Sequence, residues 1–188
     1  MDTRFLFVYI LIGTLLINGI RAARKWEYEP LSVTSTTSNE SLILFKIQIV
    51  RIRRGEYAIS ANVKWDYDTT DETMVEAYAF HSVSGDANEY KVLPWSIPKQ
   101  PFYHYLNTYY KDVIIGNCAH CSNIPVFKDK FEPPWPKKTY IGEKCVMNGD
   151  GFPDIVPPGY YKIIFKGFGP DQPSWSFTAI VKITLKMF

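Results

Sequence analysis

Strict alternation of apolar and polar residues marks two long segments of the chain. In the first, from Tyr57 to Tyr67, every second residue is apolar and includes Trp65. The second begins at Trp175 and Phe177 and continues the same pattern to Met187. Because successive side chains of a β-strand point to opposite sides, both segments are predicted to be half-buried strands.

Weaker signals of the same kind predict further strands. They lie near Trp26–Thr34, Ser41–Arg51, Met74–Ser82, Glu89–Leu93 and Tyr160–Phe168. The last of these follows Pro157-Pro158-Gly159, a turn signal.

One segment has a helical period instead. Phe102, Tyr105, Tyr109 and Ile114 recur at helical spacing, and Pro101 suits the first turn. The prolines between Asn123 and Lys138 predict an irregular connection. The expected fold class is therefore mainly β: an antiparallel sandwich or cup with one amphipathic helix.

The first residues resemble a secretory signal peptide. Arg4 precedes an apolar run that starts at Phe5, and small residues follow at Gly19 and Ala22. We expect cleavage after Ala22, with an uncleaved signal anchor as the alternative. Residues 1–22 would then be the signal peptide and 23–188 a single extracellular domain in an oxidising compartment.

Charge and aromatic content narrow the function. The net charge of +2 argues against a nucleic-acid partner, which would require a basic face. Aromatic residues make up 16% of the chain. They could form an ordinary β-rich core or line an apolar cavity.

Three cysteines follow the signal segment. Cys118 and Cys121 have the spacing of a redox pair, but they follow the helix, whereas redox pairs lie at a helix N-terminus. A structural bridge to Cys145 is preferred, with Cys121–Cys145 the favoured pairing, although spacing alone leaves the connectivity open. A zinc site that adds His120 has poor ligand spacing, so no metal is expected.

Other motifs are weaker. Asn39-Glu40-Ser41 is a glycosylation acceptor. The stretch Asn148–Asp154 has oxygen donors but lacks the Glu of a calcium hand, so a surface turn is expected. We find no nucleophile elbow and no phosphate-binding glycine loop, and we expect neither a catalytic residue nor a cofactor.

Several longer strings resemble the insect chemosensory CheB family, which is more distantly similar to the GM2 activator protein and other lipid-recognition proteins. They are YKVLPWSIPKQPFYHYLNTYYKDV, CSNIP, KFEPPWPKKTYIGEKCV, GDGFPDIVPPGYYKIIF and the terminal VKITLKMF. The resemblance runs through the whole chain after the signal segment. It implies a β-cup around an apolar cavity, and a secreted, non-enzymatic protein in gustatory or pheromone perception.

Such a protein would bind a hydrophobic small molecule, a hydrocarbon or lipid, and present it to a membrane receptor or ion channel. We expect the cavity wall to be aromatic and the helix to close one end. The candidate residues are Trp65, Tyr67, Trp175 and Phe177 for the wall, and Tyr105 and Tyr109 for the end. The alternatives are a ligand-free extracellular modulator of a receptor or channel, and a thiol–disulfide oxidoreductase that uses Cys118 and Cys121.

Overall fold

The computed structural model describes residues 25–149 and 151–186 and consists mostly of antiparallel β-strands. The strands are β1 (Trp26–Thr37), β2 (Ile43–Arg53), β3 (Glu56–Trp65), β4 (Met74–Ser82), β5 (Lys91–Val92), β6 (Ile97–Pro101), β7 (Lys138–Cys145), β8 (Gly159–Phe168) and β9 (Trp175–Leu185). The predicted signal peptide, residues 1–22, lies outside the described residues.

The strands form two sheets. The large sheet has the order β1-β9-β8-β4-β5, with β6 also paired to β4, and the small sheet has the order β2-β3-β7. Each pairing in the large sheet is antiparallel, as in Phe165 opposite Phe177 and Ala77 opposite Phe165. The predicted fold class, a mainly β two-sheet architecture with one helical segment, is confirmed.

The helical segment connects β6 to the irregular region. It consists of α1 (Phe102–Tyr105), a π-helical stretch (Leu106–Ile115), α2 (Gly116–Cys118) and a 3₁₀ turn (Ala119–Cys121). Pro101 immediately precedes it, where a missing N–H leaves no helical hydrogen bond unmade. The predicted helix is present, and most of its length is π-helical rather than α-helical.

Alternation along the strands defines which side chains lie between the sheets. Phe45 of β2 contacts Trp175 of β9, with ring centroids 5.4 Å apart. The residues that share a face with Phe45 in β2 and β3, and with Trp175 in β8 and β9, therefore point into the space between the two sheets. We call these the inner faces.

None of the helices in residues 25–149 and 151–186 is both long enough and apolar enough to cross a bilayer.

Candidate functional site

Aromatic side chains fill one end of the space between the sheets. Both sheets, the helical segment and the proline-rich connection all contribute to this aromatic cluster. Its buried members are Ile43, Trp65, Tyr67, Val75, Ala77, Phe102, Tyr105, Leu106, Tyr110, Phe131, Trp135, Tyr140, Phe165 and Trp175.

Trp65, the last residue of β3, lies at the centre of this cluster. Its ring stacks on Tyr67 at 4.9 Å and on Phe102 at 5.7 Å, and meets Trp175 edge-on at 5.6 Å. These offset and edge-to-face geometries are the favourable ones for aromatic pairs. The rings are thus in mutual contact at the separations of a packed core.

A buried hydrogen bond joins two of the predicted wall residues. Trp175 Nε1 donates to the hydroxyl oxygen of Tyr67 over 2.9 Å. Burial raises the pKa of the Tyr67 hydroxyl well above its ordinary value, and the bond from Trp175 lowers it in part. The phenol therefore remains neutral at physiological pH and accepts the indole proton.

Four of the candidate wall residues belong to the aromatic cluster. Trp65, Tyr67, Tyr105 and Trp175 are each less than 9% exposed and pack on other rings of the aromatic cluster. Large flat side chains gain more from contact with each other than from facing an unfilled space. These four residues fill their end of the molecule, and Trp175 also borders a surface concavity formed by residues of β1, β8 and β9.

The other two candidates lie at the margin of the cluster. Phe177 is partly buried and stacks on Phe165, with ring centroids 5.3 Å apart. Tyr109 is 40% exposed and stacks on Tyr105 from outside, with ring centroids 6.4 Å apart. Tyr109, which is predicted to close one end of a cavity, therefore has part of its ring in contact with solvent.

A second, smaller buried cluster lies at the opposite end of the large sheet. It consists of Trp26, Val156, Tyr161 and Ile183. Trp26 Nε1 donates to the Pro153 carbonyl over 2.9 Å and so ties β1 to the connection before β8. The inner face of the large sheet is therefore well covered at both of its ends.

Between the two clusters the inner faces carry small and branched aliphatic side chains. All of these are only partly buried, and none belongs to either cluster. We call them the aliphatic strip: Ile47, Ile49, Ile59, Ala61, Ile163 and Ala179. In a closely packed sandwich the central inner residues would be the most deeply buried. Here, protein side chains cover the middle of the inner faces less completely than the ends.

The sequence contained the signal for this strip. The alternation that predicts β3 and β9 also puts Ile59, Ala61 and Ala179 on the same faces as the tryptophans. Alternation does not show how far along the space between the sheets a given residue lies. The sequence therefore could not distinguish the packed aromatic end from the partly buried aliphatic middle.

Two concavities share the end of β1, one with β8 and β9 and the other with β2. One, of about 400 Å³, is lined by residues that include Thr36, Ser176 and Phe168. The other, of about 320 Å³, is lined by residues that include Ser35, Glu40 and Phe45. Both walls carry serine and threonine hydroxyls, and the first also includes Trp175, one of the predicted wall residues.

The disulfide in the structure joins Cys121 to Cys145, the pairing preferred from the sequence, with Cα atoms 5.4 Å apart. It ties the end of the helical segment to the end of β7. Cys118 is free and partly buried, 3.9 Å from Met147 Sδ, and burial raises the pKa of its thiol. A raised pKa disfavours the thiolate that redox chemistry requires.

The Asn39 acceptor lies in the exposed turn between β1 and β2. Its Oδ1 accepts hydrogen bonds from the backbone N–H of Ser41 at 3.0 Å and from the Ser41 hydroxyl at 2.7 Å. Asn39 and Ser41, the two residues that a glycosylation acceptor requires, are therefore exposed and hydrogen-bonded to each other.

The remaining motifs show no converging ligands. Across residues 25–149 and 151–186, no group of three or more His, Cys, Asp or Glu side chains is placed to hold a metal ion. His104 is exposed and hydrogen-bonds Gln100 of β6. The stretch that begins at Asn148 turns, with Phe152 N–H donating to the Gly149 carbonyl over 3.1 Å, while Asp150 lies outside the described residues.

These features define a class: an antiparallel two-sheet β protein with an aromatic cluster, an aliphatic strip and one disulfide. A family model described as a protein of unknown function, DUF1091, matches residues 77–163. The match covers just under half of the chain, from β4 through the helical segment and the disulfide to the middle of β8. No curated protein matches the chain.

Proposed function

We propose that this protein is a secreted, non-enzymatic carrier that binds a hydrophobic small molecule between its two sheets and presents it to a neuronal receptor or ion channel in chemosensory perception. The observation that carries the proposal is the aliphatic strip, whose inner-face residues are partly buried, whereas the members of the two clusters at the ends of the large sheet are buried. The resemblance to the CheB family and to lipid-recognition proteins supports the same function.

The chemistry of the strip suits a hydrocarbon chain. Ile47, Ile59 and Ile163 present branched aliphatic groups, and the alanines at 61 and 179 leave room beside them. Removing apolar surface from water contributes roughly 25 cal/mol per Å², from which the ordering costs of binding are subtracted. The driving force is non-directional, so such a site would select by length and shape rather than by polar groups.

In this proposal the aromatic cluster has a structural role. It holds the sheets together at one end and attaches the helical segment through Tyr105, which contacts Phe165 at 5.1 Å. A rigid end fixes the separation of the sheets over the strip. The Cys121–Cys145 disulfide fixes the far end of the helical segment to β7.

The close packing of the aromatic cluster favours a second candidate function, a ligand-free modulator. A ligand-free extracellular protein could modulate a receptor or channel through its surface alone, and a packed interior is what such a protein needs. The thiol–disulfide alternative has less support, since Cys121 is paired with Cys145 and Cys118 has a raised pKa.

Replacing Ala179 by Phe distinguishes the ligand carrier from the ligand-free modulator. If the strip faces a ligand space, the new ring occupies that space, the melting temperature changes little, and ligand recovery falls. If the interior is solid, the added ring overpacks it and costs about 1–3 kcal/mol of stability. Thr178→Phe is the matched control, because the neighbouring side chain points to the opposite face of β9.

The assay incubates the purified protein with long-chain hydrocarbons, removes unbound material and analyses an organic extract by mass spectrometry. We expect recovery from the wild type and from Thr178→Phe, and little from Ala179→Phe. Recovery from the wild type no higher than from an unrelated secreted protein would refute the carrier function and leave the surface modulator.

A further inference from the structure

The outer face of the large sheet, which points away from the small sheet, carries lysines laid over aromatic rings. Alternation places Tyr78, Phe80, Tyr160, Lys162, Lys166 and Lys182 on this face of β4, β8 and β9. We call these six residues the lysine–ring face. They lie on adjacent strands and form one continuous surface.

The lysine–ring contacts are short. Lys162 Nζ lies 5.0 Å from the ring centroid of Phe80 and 4.7 Å from that of Tyr90. Lys166 and Lys182 lie 5.7 Å and 5.6 Å from the rings of Tyr78 and Tyr160. Each ammonium group is thus held at the level of an aromatic surface rather than extended into solvent.

Positive charge on this face is only partly balanced. Glu76 pairs with Lys166 over 3.4 Å. Lys162 and Lys182 are absent from the ion pairs formed among the described residues. Glu29 of β1 lies opposite Lys182 in the strand register, and its carboxylate accepts a hydrogen bond from the Tyr57 hydroxyl over 2.7 Å. Lys162 and Lys182 can therefore bind an external anionic group, with Glu29 as a competing carboxylate for Lys182.

Exposed apolar side chains border the face at the end of β4. Val92 of β5 lies opposite Phe80 and is 63% exposed, and Val83, which follows β4, is 78% exposed. Exposed apolar side chains beside lysines are typical of a surface that binds a membrane or another partner.

We infer that the lysine–ring face docks the protein on a lipid bilayer that carries negatively charged headgroups. Lysine ammonium groups would pair with the headgroups, tyrosine rings would lie at the interfacial level, and Val83 and Val92 would enter the boundary with the acyl chains. The inference is independent of whether the aliphatic strip binds a ligand.

The surface fits a bilayer better than an acidic protein partner. A specific protein interface is built around anchor residues in pockets. Of the two concavities described above, the first includes Lys166 at the margin of the face, and neither is lined by Phe80, Tyr160 or Lys162 at its centre. Charge and exposed apolar groups side by side are instead what an interfacial lipid surface recognises.

The test is cosedimentation with large vesicles of phosphatidylcholine alone, and of phosphatidylcholine with about 30% phosphatidylserine, an anionic lipid that attracts basic residues. We expect binding to the mixed vesicles only, weakening as salt rises. Lys162→Gln with Lys182→Gln should weaken it by about 30-fold, since each lysine near an anionic surface contributes about fivefold.

The matched control substitutions lie in the small sheet and in the proline-rich connection. Lys46→Gln with Lys130→Gln removes the same charge from exposed positions elsewhere and should leave binding unchanged. Val92→Ser should weaken binding, whereas Ile141→Ser, at an exposed apolar site of β7, should not. Melting curves check that each variant folds, and Lys162→Arg, which keeps the charge, should retain binding.

Three results would overturn the inference. They are equal binding to neutral and mixed vesicles, equal losses in the test and control variants, and binding to soluble polyglutamate but not to vesicles. The last of these would identify an acidic polypeptide as the partner of the face instead.

Discussion

Gly167 of β8 lies opposite Trp175 of β9, and this pair shows how one residue positions the aromatic cluster. A Cβ atom built on Gly167 would lie 2.3 Å from the Trp175 ring carbons Cε2 and Cζ2. Only the missing side chain allows the indole to lie across β8, from which Nε1 reaches the Tyr67 hydroxyl.

Gly167→Ala should therefore destabilise the protein by about 1–3 kcal/mol, the usual cost of overpacking a core. Urea unfolding followed by tryptophan fluorescence measures the change. Gly142→Ala is the control, because a Cβ there would meet Cys145 Sγ at an ordinary 3.4 Å. Equal stability of Gly167→Ala and the wild type would show that Trp175 does not occupy this position.

At the scale of elements, the helical segment is held at both of its ends. Its first residues enter the aromatic cluster, where Phe102 meets Trp135 edge-on at 5.4 Å. Its last residue, Cys121, is bonded to Cys145 of β7. Between them, Tyr110 donates a hydrogen bond to the Pro125 carbonyl over 2.9 Å, which also fixes the start of the proline-rich connection.

Replacing both Cys121 and Cys145 by Ser should lower stability by about 3 kcal/mol, the chain-entropy value for a loop of this length. The two cysteines are separated by 24 positions. We expect a lower urea midpoint and faster proteolysis within residues 123–137.

Cys118→Ser is the control for that variant and should change stability much less, because Cys118 forms no disulfide. A double variant as stable as the wild type would mean that the aromatic cluster alone holds the helical segment in place.

At the scale of the whole molecule, buried tyrosines couple stability to alkaline pH. Burial raises the pKa of Tyr67, Tyr105 and Tyr110 well above their ordinary value. The folded state therefore keeps these protons at pH values where the unfolded chain releases them. Their contribution to stability is complete below the unfolded pKa and is lost as pH rises above it.

We expect the urea midpoint to be nearly constant up to about pH 9 and to fall steeply from about pH 10, the ordinary tyrosine pKa. Tyrosine ionisation, followed by ultraviolet absorbance in the same samples, should lag behind that of an unfolded control until the protein unfolds. Constant stability through that range, with full ionisation of the tyrosines, would contradict the burial of these three hydroxyls.

The sequence predicted most of the elements, because a period of two is visible without knowledge of neighbours. β4 lies at Met74–Ser82 as predicted, and β2, β3, β8 and β9 lie close to their predicted positions. β7 was not predicted, since its apolar residues Tyr140, Ile141 and Cys145 do not alternate with polar ones. Phe131 and Trp135 were not predicted as core residues, because the prolines around them indicated only an irregular connection.

By itself the sequence determined which residues share a strand face, since alternation is a property of the local backbone. It also predicted that the glycosylation motif lies at the surface, which its exposure in the structure confirms. Only the tertiary structure decided that the rings pack on one another at one end while aliphatic residues remain partly buried in the middle. That distinction depends on how the sheets and the helical segment approach each other, and contacts between residues far apart in the chain control this approach.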